Sequence, residues 1–101
     1  MITGSQCRAA RALVEISRQL LATLSGIDED TIARFERKLE TPAVETIATL
    51  QTTLEKAGAI FIPEGERGLG VQLKFTRSEA RRLSILESEG GLVANDEVPG
   101  V

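Results

Sequence analysis

The sequence predicts a small, mainly α-helical domain of four helices that ends in a β-hairpin and a short final helix. Three observations predict it. Up to Gly58, apolar residues recur at three- and four-residue spacing, punctuated by cap and stop residues. Between Arg18 and Phe35, the residues Ala22, Gly26 and Ile32 stand at the spacing of a helix-turn-helix. After Gly58 the apolar period shortens to that of a strand.

Each element follows from local chemistry. Thr3 and Gln6 form a T-x-x-Q capping box that starts the first helix, with Ala10, Leu13 and Val14 inward and Arg8, Arg11 and Glu15 outward. Ser17 caps a second helix from Arg18 to about Leu24, whose Leu20, Leu21 and Leu24 give a wide apolar surface. Ala22 is small enough for a close helix crossing, and Gly26 tolerates the positive φ of a tight turn. Asp28 caps a third helix, Glu29 to Lys38, anchored inward by Ile32 and Phe35. The chain then turns through Leu39 and Glu40, and Thr41-Pro42 reads as the N-cap and first-turn proline of a fourth helix. Val44, Ile47, Leu50 and Leu54 form its stripe and Gly58 ends it. Ile60 to Ile62 and Val71 to Phe75 read as two strands of a hairpin around a glycine-rich loop. A second capping box, Thr76 with Glu79, opens a last short helix that stops at Gly90-Gly91. The expected organisation is therefore a helical unit over 1–58, a hairpin-plus-helix extension over 59–91, and a mobile tail over 92–101.

Composition narrows the function. The 101 residues, 42% of them apolar, suffice for one core. Twelve basic and fifteen acidic residues give a net charge of −3, so no global basicity announces nucleic acid, and any such function must rest on local charge. No apolar run is long enough to span a membrane, and no signal-peptide core opens the chain, so a cytoplasmic location is expected. With no histidine and the single Cys7, neither a usual zinc site nor a Cys–His nucleophile can form; Cys7 reads as a small buried residue. Gly65, Gly68 and Gly70 lack the spacing and the Lys-Ser/Thr pair of a phosphate loop. Catalysis, a metal and a cofactor are not expected.

The local text is more specific than the spacing. Ile2 to Gln6 followed by Arg8 to Leu13, then Thr31 to Arg34 with Glu36, then Leu54 to Gly58 leading to Phe61-Ile62 and Gly70 to Leu73, resembles the lambda-repressor-like, or XRE/Cro-type, helix-turn-helix family over about residues 1–75. The resemblance implies a transcriptional regulator that binds a palindromic double-stranded DNA operator as a homodimer, with its third helix in the major groove. Carried over residue by residue, it puts Thr31 and Arg34 at base edges, with Glu29 or Asp30 at one base at most. It gives Arg18, Gln19, Arg37 and Lys38 the phosphates. Two departures stand out. Where the family often has Ser and a basic or small residue, this chain reads Asp28-Glu29-Asp30, and the glycine frequent after the third helix is missing.

Several residues carry two readings. The acidic run complements the helix dipole, or it repels phosphates and fits the surface to a basic protein partner instead, as an antiactivator or accessory subunit would require. Arg8 and Arg11 read as a solvated face or as backbone contacts, and Arg77, Arg81 and Arg82 as a salt-bridged face or as contacts to flanking DNA. Ile60, Ile62, Val71, Leu73 and Phe75 form the expected dimer interface, against the alternative that they cover helices of their own chain.

Overall fold

Helix α1 (Gly4–Val14) starts at the capping box that the sequence spells: Thr3 Oγ1 accepts from Gln6 N at 3.1 Å, and Gln6 Oε1 accepts from Thr3 N at 3.0 Å. A computed structural model describes residues 1–74 and continues with α2 (Arg18–Ser25), α3 (Glu29–Glu36), α4 (Val44–Lys56) and an antiparallel hairpin of β1 (Ala59–Ile62) and β2 (Gly70–Leu73). Phe75, the helix expected from Thr76, its arginines and the tail lie outside the described residues. The described part is thus mainly helical with a short hairpin.

The caps explain where most helices begin. Ser17 Oγ accepts from Leu20 N, and Asp28 Oδ2 accepts from both Asp30 N and Thr31 N, so side chains satisfy N–H groups that have no partner within the helix. Gly26 ends α2 in the left-handed region (φ 76°), and its N–H closes on Ala22 O. The turn lets α3 fold back so that Ile32 and Phe35 reach the core beside Leu21.

Two helix boundaries differ from the sequence reading by two residues each. Helix α3 stops at Glu36, two residues before Lys38, because Lys38 itself adopts the left-handed conformation (φ 64°). Leu39 N then bonds Arg34 O and Lys38 N bonds Phe35 O, the paired bonds of a Schellman turn made without glycine. Helix α4 starts at Val44 rather than at Pro42; Ala43 is its N-cap and offers no side-chain bond. The buried stripe explains the shift. It runs through Ile47, Leu50 and Leu54, while Val44 remains 61% exposed, so extending the helix toward Thr41 would bury nothing.

One core unites these elements. Leu21, Ile32, Ile47, Leu50, Leu54 and Cys7 are wholly buried, and each large aliphatic side chain among them contributes about 1.5–3 kcal/mol. Leu20 and Leu24 face outward, so the apolar surface of α2 is narrower than its leucines suggest.

The hairpin register pairs Ala59 with Leu73, Ile60 with Gln72, Phe61 with Val71 and Ile62 with Gly70. Alternation then puts Phe61, Val71 and Leu73 against the core, with Ile60 and Ile62 on the opposite face. The five residues expected to form one dimer surface are therefore divided: Val71 and Leu73 cover their own chain, Ile60 and Ile62 are exposed, and Phe75 is outside the described residues. Gln6 fastens the hairpin to α1, its Nε2 donating to Ile62 O (3.1 Å) and Gly70 O (3.0 Å).

The first turn of α1 lies against the last turn of α3 with no room for a side chain. A Cβ on Gly4 would overlap Phe35 O and come within 2.8 Å of the Phe35 carbonyl carbon, both backbone atoms. Gly4→Ala should therefore destabilise the chain by about 2 kcal/mol or more in urea unfolding, and a loss under about 0.5 kcal/mol would contradict so close an approach. Lys38→Gly should do the opposite. Releasing a β-carbon from the left-handed region should raise stability by about 0.5–1 kcal/mol in the same assay.

Candidate nucleic-acid interface

Helix α3 is amphipathic by construction. Ile32, Phe35 and Glu36 fall on its buried side, and Glu29, Asp30, Arg34 and the following Arg37 and Lys38 are exposed, with Thr31 half-buried between them. The sequence-predicted residues of the helix therefore share one outer surface and its C-terminal end. Gln19 is exposed near the start of α2, where its carbonyl accepts from Thr23 Oγ1.

Arg18 is engaged differently from its expected role. Its Nε lies 3.3 Å from Glu36 Oε1, and its side chain is only 28% exposed. Glu36 is the centre of a buried cluster: Arg11 Nε and Nη2 each donate to one of its oxygens at 2.8 Å, a bidentate fork, and Cys7 Sγ donates at 3.3 Å. The carboxylate is 1% exposed. Burial would raise its pKa, but the hydrogen bonds from Arg11 and Cys7, the Arg11 charge and the Arg18 bond outweigh that and hold it below the ordinary glutamate range. The same arrangement pushes the Cys7 thiol far upward, through burial first and then the charge of Glu36, so Cys7 is an inert donor here.

Arg11 is thus not a solvated residue. The periodicity holds a signal for it: Arg11 follows Cys7 by four and precedes Val14 by three, on the inward stripe of α1, as Glu36 follows Ile32 by four on that of α3. Two residues of opposite charge on buried stripes mark each other as partners. Nothing local to either helix says that they meet.

The acidic run also resolves into individual partners. Asp28 is occupied by the backbone N–H groups of α3, and Asp30 Oδ2 lies 2.9 Å from Arg34 Nη2. From beyond the Schellman turn, Glu40 Oε1 accepts from Arg34 Nη1 at 3.1 Å. The Glu40 bond, followed by the Asp30 charge, favours the protonated guanidinium. Among the described residues this leaves Glu29 as the one carboxylate of the run whose side chain has no polar partner, and at the other end of α3 the side chains of Arg37 and Lys38 have none either.

No group of three or more His, Cys, Asp or Glu among the described residues could hold a metal ion, and no described helix is long and apolar enough to cross a membrane. Neither the known family models nor the curated proteins include a match to this chain.

The Glu36 cluster makes a testable demand on stability. Glu36→Gln should cost about 3 kcal/mol at neutral pH by stranding Arg11 and Arg18. Because the folded pKa is lowered, the contribution is complete above the unfolded value of about 4.3 and is lost as pH falls through the lower folded value. The gap between wild type and Glu36→Gln in denaturant titrations should therefore narrow below about pH 4. An unchanged gap from pH 7 to pH 3 would contradict an ionised Glu36.

Proposed function

We propose that the chain is a sequence-specific DNA-binding regulator of the XRE type, acting without a cofactor and placing α3 in the major groove. The observation that carries this reading is the state of charge on the exposed surface of α3. Three of the four nearby carboxylates are committed to the backbone or to Arg34, whereas Arg37 and Lys38 are uncommitted at the helix end where phosphates would lie. The helix–glycine–helix geometry of α2, Gly26 and α3 supports the same reading. Arg37, Lys38 and Gln19 hold phosphates, and Thr31 and Arg34 face base edges. Arg18 joins them only by loosening its bond to Glu36. Homodimerisation belongs to the proposal, with the exposed Ile60 and Ile62 as its apolar contact.

One observation favours a second reading. Asp28, Glu29, Asp30 and Glu40 outnumber Arg34, Arg37 and Lys38 on this surface, which suits a basic protein partner.

Selection from a genomic fragment library, followed by salt titration on the tightest fragment, tests between them. The regulator reading expects a palindromic site and a steep salt dependence, with Arg37→Ala and Lys38→Ala each reducing the logarithmic slope by about 1. No enriched fragment, with weak binding even at low salt, would overturn it in favour of the protein partner.

A further inference from the structure

We infer that Arg34 reads a guanine and that Asp30 and Glu40 aim it; the inference rests on the DNA-binding reading and names what that site recognises. Arg34 is held from both directions along α3. Asp30 lies one turn before it, at 2.9 Å from Nη2, and Glu40 lies after the turn, at 3.1 Å from Nη1. All three side chains are at least half exposed. Surface pairs of this kind contribute little to stability. Their physical effect is to restrict a side chain that otherwise has many rotamers, so that less freedom is lost when it binds.

The charges around Arg34 select among the contacts it can make in a groove. A phosphate would sit beside two carboxylates and be repelled by both. A base edge carries no net charge and escapes that penalty. Among base edges, guanine offers two acceptors, O6 and N7, to a group that only donates, whereas adenine pairs its N7 acceptor with an N6 donor that opposes the guanidinium. One of the five N–H bonds of Arg34 is donated to Glu40 and Asp30 acts at Nη2 through its charge, which leaves donors on Nε and on both terminal nitrogens. Two parallel donors matched to two acceptors is the guanine arrangement. The cytosine opposite adds an N4 donor, which a carboxylate can accept. The acidic start of α3, which weakens attraction to phosphate, thus sharpens the reading of a G·C pair.

The test is selection of random duplexes with the full chain and with Arg34→Ala, Arg34→Lys, Asp30→Asn and Glu40→Gln, each checked for unchanged helicity. Wild type should select a G in each half-site whose replacement weakens binding about tenfold. Both Arg34 variants should lose preference at that position alone. Asp30→Asn and Glu40→Gln remove negative charge, so binding to random DNA should strengthen while discrimination at the same G falls several-fold. Arg34 variants that weaken all sequences equally and flatten the salt dependence would identify a phosphate contact and overturn the inference. Acid variants that bind more tightly with the G preference intact would overturn the role of Asp30 and Glu40. A wild-type chain that selects no sequence would instead remove the regulator reading itself.

Discussion

A buried carboxylate organises the helical part of this protein. Glu36 sits at the end of α3 where three helices converge, and its two oxygens receive Arg11 and Cys7 from α1 and Arg18 from the start of α2. Aliphatic packing alone is tolerant of small rotations between short helices. A bidentate guanidinium is not, because both donors must meet both oxygens in one plane. The cluster therefore fixes the azimuth of α3 about its own axis, and with it which side chains point outward. The exposure of Arg34 and the burial of Ile32 are two consequences of one constraint.

That constraint also divides the cations by task. Arg11 and Arg18 hold the scaffold, Arg34 is restrained by two carboxylates, and Arg37 and Lys38 extend from the helix end. A chain with an acidic total can still present a basic edge, provided that its acids are occupied where they stand. Asp28 does this by capping α3, and Asp30 and Glu40 by pairing with Arg34.

The parts of the fold that were legible in the sequence are those set by neighbouring residues. Thr3 with Gln6, Ser17, Asp28, Gly26 and Gly58 each declare a helix end through chemistry contained in one turn, and each does so in the structure. The end of α3 was not legible, because Lys38 takes a left-handed conformation that its side chain does not advertise. Nor was the start of α4, where Thr41-Pro42 looks like a cap but packing begins only at Ile47. At the candidate site, helical period sufficed to put Arg34, Arg37 and Lys38 outside. It could not assign Arg18 to Glu36, eighteen residues away, nor bring Glu40 back to Arg34 across a turn with no glycine. The hairpin shows the same limit: alternation separates two faces, and only the register against α1 and α4 decides which is covered.

Gln6 carries this dependence on distant sequence furthest. Its side chain completes a cap at the beginning of the chain and grips carbonyls 56 and 64 residues later. Helix α1 caps itself from within its own first turn, but its amide can grip both carbonyls only when β2 has been made and lies beside β1. The full grip thus joins residues 64 apart in sequence, and contacts of such separation belong to the slow end of folding. A chain ending before Gly70 would retain the capping box but not the clasp that ties α1 to both strands.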